Sequence, residues 1–421
     1  MNIKNIDGGD RGSVLFFVTY QYPFLPGEYF IESEIDHLVD AFDRVLVFPD
    51  RSLWWKSNEA PRQMPEGAEL CDVREASIWR RLSWVLKGGL GAMPFMWQSR
   101  SVWPGEVKMP LASFMKRLKA SFKVMTNRAA IQWFLQREMV EAKPVGYAYW
   151  RIDGAGALAL LKKQGAFSSL YVRCHRCDIY TLARYPFEGI IHEQANGVFP
   201  VSEDGKNYLT GEKGLSANNI EVKRLGVTLP AQCSPCSTDG VWRILSCSNI
   251  VTVKRVDLIA RTIAAMKHPC EWIHIGDGPG LDAVKAIAES FGPTVSAKLL
   301  GRISNSEVLR YYRENPVDLF INLSESEGVP VSIMEALAHG VPVVATDVGG
   351  SAEIIDTGNG RVVDVGASVP QIVDAIHGLL DDPELISPNR KAAREMAEQS
   401  CSSFLNYSHF SKLLKGETLD D

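Results

Sequence analysis

Two glutamates eight positions apart, Glu327 and Glu335, open the stretch EGVPVSIMEALAHGVPVVATDVGGSAE, which runs to Glu353. An ionised carboxylate only accepts hydrogen bonds, so a pair of them beside a helix start suits the binding of hydroxyl groups. Gly328 and Pro330 turn the chain out of the preceding DLFINLS run. Pro330 suits the first turn of a helix, where its missing N–H would have no partner anyway. A helix is therefore predicted to start near 330 and to close at Gly340, with Glu327 in the loop at its positive end and Glu335 further in. Gly349 and Gly350 permit a close backbone turn after the run VPVVAT. Glu353 reads as a first-turn helix glutamate with no ligand.

The elements that must position this segment are regular. From Trp242 onward, short apolar runs (WRILSCSNI, EWIHIG, VSAKLLG, VDLFINLS) alternate with amphipathic stretches (VDLIARTIAAM, GLDAVKAIAESF, SEVLRYYREN). That alternation predicts a parallel sheet covered on both faces, and ligands of such sheets bind outside the carboxyl ends of the strands. Asn249, the GDGPG turn at 276–280, Gly301 with Arg302, and Glu327 each fall at such an end. The first half opens with VLFFVTYQYPFLPGEYFIESEIDHL and returns to the pattern at YAYWRIDGAGALALLKK, SLYVRCHRCDIY and GVFPVSEDGKNYL. The expected organisation is a domain over 1–228, a linker over 229–240, a second domain over 241–390, and a C-terminal helical segment over 391–421.

Composition excludes several classes. Over 421 residues the net charge is −5, which does not suit a nucleic-acid binder. No apolar run approaches the roughly 18 residues that span a bilayer. The N-terminus lacks the basic-then-apolar run of a signal peptide, so a cytoplasmic location is expected. Two CxxC pairs, Cys174 with Cys177 and Cys233 with Cys236, have zinc-like spacing. They lie in an apolar strand context and a Pro- and Ser-containing linker respectively, and no metal is expected. Residues 74–140 stand apart: twelve Lys or Arg against three Glu, a net of +9, with five of the ten tryptophans. This pattern fits a surface lying peripherally on an anionic membrane, and it equally fits a solvated helix pair whose aromatics pack into the N-terminal domain.

As a whole, the 327–353 segment resembles the E-x7-E signature of family 4 glycosyltransferases, retaining enzymes of the GT-B fold: α/β, two Rossmann-like parallel-sheet domains facing each other across a cleft, with a C-terminal helix crossing back. The segments GEYFIESEI and SNIVTVKRVDLI resemble the branch of bacterial surface polysaccharide assembly. The resemblance implies a nucleotide-sugar donor, UDP- or GDP-linked, a glycan or lipid-linked acceptor, and no metal cofactor, in keeping with the lack of an Asp-x-Asp motif.

By the same resemblance Lys254 meets the donor diphosphate, where a point charge stabilises the leaving group as it gains negative charge. Glu335 then binds ribose hydroxyls. Glu327, with the main chain of Gly328 and Val329, faces the transferred sugar, and Gly301, Arg302 and Ile303 contact the base. His175, in RCHRCDIY, lies near the hexose and acts either as a hydrogen-bonding group or as a proton handler near neutral pH. Gly27 and Glu28 approach the acceptor side. Tyr149 and Trp150 are either an acceptor platform or buried core aromatics. The chain departs from the family at Asn249, where an arginine usually stands five positions before the lysine. Arg255 is adjacent to Lys254, but a helix neighbour points about 100° away. A GT-B phosphorylase or sugar-nucleotide hydrolase, and a non-catalytic sugar-nucleotide-binding scaffold, stay open as alternatives.

Overall fold

Continuous β-branched and aromatic runs such as VLFFV and VLVF are what a strand buried on both faces requires, and they form the centres of two parallel sheets. The computed structural model describes residues 12–24, 27–50, 61–98, 111–138, 143–181 and 185–417. These fall into two compact units, one built on residues up to Pro200 with 208–221 and the chain from His409, the other on 201–207 and 222–408.

The first unit holds β1 (Val14–Thr19), β2 (Arg44–Pro49), β3 (Ala68–Leu70), β4 (Val145–Ala148), β5 (Ser169–Cys174) and β6 (Gly197–Pro200), in the order β3-β2-β1-β4-β5-β6. All neighbours pair in parallel. The second holds β7 (Trp242–Cys247), β8 (Cys270–Ile275), β9 (Val295–Gly301), β10 (Leu319–Asn322), β11 (Val343–Thr346) and β12 (Gly360–Val363), in the order β12-β11-β10-β7-β8-β9. Counted within each unit, both orders are the doubly wound 3-2-1-4-5-6. The strand order therefore reverses between β1 and β4 in one unit and between β7 and β10 in the other. The crevice outside the carboxyl ends of those two strands is where such sheets bind ligands.

The basic segment forms two helices, Ile78–Gln98 and Leu111–Arg137. Trp84, Val124, Ile131 and Phe134 enter the same core as Phe16 and Phe48, and the Phe134 ring meets Phe48 edge-on at 6.0 Å. The packed-aromatic reading of this region therefore describes its inner face.

The stretch expected to be a linker is bonded into the second unit. The Ser234 amide donates to His339 O at 2.9 Å, and the Ser237 amide donates to the Asp318 carboxylate at 2.9 Å. Arg390 donates to Val317 O at 2.7 Å and also to Ser234 O. Polar residues here satisfy buried groups of the sheet rather than solvate a tether. The first unit's central run accordingly ends at Glu221, not 228, and the C-terminal segment joins that unit only from His409. There Phe410 packs against Phe199 and Tyr147, with the Arg173 guanidinium 4.2 Å from its ring.

Candidate active site

In the second unit, the reversal of strand order puts the loop after β7 beside the loop after β10. Lys254 ends a single 3-10 turn, Thr252–Lys254, just ahead of the helix Val256–Ala264, and its ammonium donates to Glu327 Oε1. The Glu325 amide donates to Val253 O at 2.8 Å, which ties the two loops together behind this pair. Asn322 Nδ2 also reaches Glu327 Oε1, at 3.4 Å. The Glu327 side chain is nearly buried, whereas Lys254 is about one quarter exposed, so the lysine is the partner open to a ligand.

Glycine is needed behind Glu327. Gly349 has φ +55°, and a Cβ there would lie 2.1 Å from Glu327 O, while the Gly350 amide donates to Gly328 O at 2.6 Å. The Gly-Gly turn thus clamps the main chain that carries Glu327.

Pro330 caps the next helix, Val331–Ala338, from the position just outside it. The helix is closed by Gly340 at φ +67°. Glu335 is buried one turn in, and burial pushes its carboxyl up to about 7, partly offset by a 2.7 Å hydrogen bond from Asn305 Nδ2. The half-buried Cys247 thiol, at the end of β7, is pushed up to about 12, chiefly by desolvation, with Glu335 raising it and Lys254 lowering it. Both side chains therefore lie within electrostatic reach of one sulfur at the end of β7. The lysine and the two glutamates converge on the switch point of a single unit.

Asn249 accepts a 3.0 Å hydrogen bond from Arg302, which reaches across from the end of β9. Gly301, at φ +69°, accepts from the Gly276 amide, so the loops after β8 and β9 are joined and present residues 301–303 beside Asn249. Ile303 is half-buried and Val329 buried. Arg255 does not stand in for an arginine at 249. It sits in the left-handed region at φ +46°, and its guanidinium donates to Leu323 O and Val365 O, bracing the sheet instead. Glu353 accepts from the Asp204 amide and from Arg224, which ties residues 204 and 224 to the turn after β11.

In the first unit, His175 follows β5, with its ring 4.7 Å from Tyr149 and 4.4 Å from Trp150. Both ring nitrogens are buried and, among the described residues, without a hydrogen-bond partner. Burial first, and then the Arg173 charge, hold the imidazole well below its ordinary value. The lowered pKa disfavours the imidazolium and favours a neutral ring that can donate or accept a hydrogen bond. Tyr149 is fully buried and stacks on Phe30 as well, which makes it a core aromatic rather than a platform.

Glu28 is also committed internally. Its carboxylate accepts from the Tyr20, Gln21 and Tyr22 amides and from the Trp150 indole, while its own backbone is left-handed at φ +54°. It shapes the loop after β1 rather than offering its carboxylate to an acceptor hydroxyl. Arg62 holds the same loop by donating to Gly27 O at 2.7 Å.

Three further residues have clear duties: Asn305 and Asp50 escaped the sequence reading, while Asp178 stands with His175 in the H-x-x-D arrangement of RCHRCDIY. Asn305 positions Glu335, and the SNSE capping box at 304–307 was the signal that a helix starts there. Asp178 accepts from the His175 and Arg151 amides, each at 2.6 Å, stitching the loops after β4 and β5 together, and burial pushes it up to about 6. Asp50, directly after β2, accepts from the Gly154 amide and Asn127 and is pushed up to about 7 by burial and by Asp153. It lines a small pocket with Thr19, Tyr20 and Trp150. Cys174 is buried while Cys233 and Cys236 are exposed, and among the described residues no group of three His, Cys, Asp or Glu is placed to hold a metal.

A chain with two doubly wound parallel sheets of this order, and a Lys-Glu-Glu constellation at the second switch point, has the GT-B architecture. Known structures share it. The apo lipopolysaccharide outer core galactosyltransferase WaaB superposes with a TM-score of 0.64 at 15% identity, covering 96% of this chain and 99% of that one. HepE of Anabaena, in complex with UDP-glucose, gives 0.64 at 15% identity, covering 96% and 99%. Residues 237–399 match the family model described as glycosyl transferases group 1. The O-antigen biosynthesis glycosyltransferase WbnH of Escherichia coli is 32% identical over 139 residues, 32% of this chain and 38% of that protein. The chain thus spans about two fifths of the length of the curated relatives it matches first. The likeness read from residues 327–353 holds at the level of family: the second unit is a group 1 glycosyltransferase domain, of the family 4 type.

Proposed function

We propose that this chain transfers a hexose-type sugar from a UDP- or GDP-linked donor, with retention at the anomeric carbon, to a glycan or lipid-linked acceptor in surface polysaccharide assembly. The observation that carries the reading is the pairing of Lys254 with Glu327 at the β7/β10 switch point, with Glu335 buried beside it. A diphosphate entering there offers the exposed lysine a stronger partner than one carboxylate. Glu327 is then released to accept from the hydroxyls of the sugar. Departure of the nucleoside diphosphate builds negative charge next to the Lys254 ammonium, which is where preorganised positive charge lowers a barrier. Glu335, once ionised, accepts from the ribose hydroxyls. His175, whose ring nitrogens have no partner among the described residues, hydrogen-bonds a sugar hydroxyl.

The part WbnH takes in O-antigen biosynthesis supports a glycan acceptor, and a lipid-linked acceptor would put the reaction at the inner face of a membrane. The test is a panel of UDP-, GDP- and ADP-sugars, beginning with UDP-glucose, scored for protection against heat and then for product on a lipid-linked acceptor. Protection by one donor with transfer to the acceptor is expected. Protection without turnover would leave a binding scaffold, and release of free sugar alone would leave a hydrolase.

A further inference from the structure

The helix Ile78–Gln98 has one committed face and one that nothing among the described residues covers. Inward, Trp84 is buried and its ring lies 5.5 Å from Trp133. Gly88 packs so tightly on the helix Leu111–Arg137 that a Cβ would lie 2.1 Å from Thr126 Oγ1. These contacts fix the rotation of the helix. At about 100° per residue, the opposite side is an arc of roughly 140° holding Ile78, Trp79, Leu82, Val85, Leu86 and Leu90. All six are exposed, Trp79 at 78%, Leu86 at 65% and Leu90 at 63%. A soluble helix ordinarily turns such a stripe inward; here it points to solvent along three turns, which marks an interaction surface.

Charge selects the occupant. Across both helices there is no Asp or Glu, against nine Lys or Arg. Some cations are used at home: Lys123 pairs with Asp153 and Arg137 with Glu75. Arg80, Lys87, Lys116 and Lys119 have no acidic partner among the described residues, and Arg80 and Lys87 lie together on one side of the apolar arc, roughly 60–80° beyond Leu90. An apolar stripe edged by unpaired cations, on a helix that is not apolar enough to cross a membrane, matches a helix lying in the plane of an anionic bilayer surface. The exposed indole of Trp79 suits the headgroup level.

We propose that the outer face of the helix Ile78–Gln98 is a docking surface for anionic membrane lipid, with Trp79, Leu82, Leu86 and Leu90 entering the headgroup boundary and Arg80 and Lys87 meeting lipid phosphates. This deepens the reading of a lipid-linked acceptor, yet its test does not require turnover. Full-length protein is floated with vesicles of phosphatidylcholine alone and of phosphatidylcholine mixed with phosphatidylglycerol. Binding to the mixed vesicles only, weakened by added salt, is expected. Leu82→Glu with Leu86→Glu should weaken it by about tenfold or more, and Arg80→Ala or Lys87→Ala by about fivefold each. All of these positions are on the surface, so melting temperature and nucleotide-sugar protection should not change. Equal binding to neutral vesicles, or retention of binding by the double glutamate variant, overturns the proposal. So does a dimer in light scattering that the double variant dissolves, which assigns the face to a second copy of the chain. Loss of nucleotide-sugar protection in the native protein with flotation intact would overturn the transferase reading and leave this one standing.

Discussion

Replacing Glu335 with Gln tests both the burial of this carboxyl and its role. In the folded protein it titrates at about 7, against an ordinary value of 4.5. That difference corresponds to about 3 kcal/mol. The folded state keeps its proton up to about pH 7, while the unfolded chain releases one near 4.5. Stability due to this group is therefore fully present below pH 4.5, falls as pH rises toward 7, and is level above it. Gln carries no such loss, and its carbonyl can still accept from Asn305. Glu335→Gln should match the native protein near pH 4.5 and exceed it at pH 8 by up to about 3 kcal/mol, a melting shift of roughly 6–12 °C for a domain of this size. Donor binding should move the other way. The ionised fraction of Glu335 rises about tenfold between pH 6 and pH 8, and ribose hydroxyls bind the anion, so nucleotide affinity measured by calorimetry should rise about tenfold over that range in the native protein and stay flat in the variant. Equal melting temperatures at pH 8, together with pH-independent nucleotide binding in the native protein, would refute the reasoning.

Lys254→Ala should abolish nucleotide-sugar protection against heat and cut turnover by about 10²–10³-fold, read in steady-state kinetics; an unchanged kcat would remove the lysine from the reaction. Gly349→Ala meets both a left-handed backbone and the Glu327 carbonyl, so it should cost about 1–3 kcal/mol in urea unfolding and raise KM for the donor. Glu34→Ala leaves the fully buried Arg173 without its ion-pair partner and should cost about 3–5 kcal/mol, whereas Glu34→Leu with Arg173→Met together should cost far less; equal losses would show the pair is not coupled. Asp178→Ala removes two hydrogen bonds from the loops that carry Trp150 and His175, and is expected to destabilise by about 2–3 kcal/mol on thermal unfolding and to quicken amide exchange at His175.

Much of the second unit was legible because its signals are local. Turn glycines, Pro330, the apolar runs and the spacing of Glu327 and Glu335 each act over a few residues, and a parallel sheet gathers the loops after its strands at one edge. The first unit was less legible at its site. Glu28, Tyr149 and His175 are residue types that bind sugars, and only the packing shows the carboxylate of Glu28 held by amides and an indole, the ring of Tyr149 buried, and the imidazole of His175 packed on Tyr149 and Trp150 with its pKa lowered by burial. The helix pair of residues 74–140 fitted two fates by composition, and contacts at Trp84 and Gly88 decided which side of the first helix faces in.

Type and order of strands, and the residues at their ends, arise from periodicities that the chain carries within itself. Protonation states and partners do not, because they depend on desolvation and on atoms brought near from distant positions. Lys254 meets Glu327 across 73 residues, and Asn305 reaches Glu335 across 30. Burial then moves the Glu335 carboxyl toward neutrality, an energy that exists only once the surrounding sheet and helices exclude water.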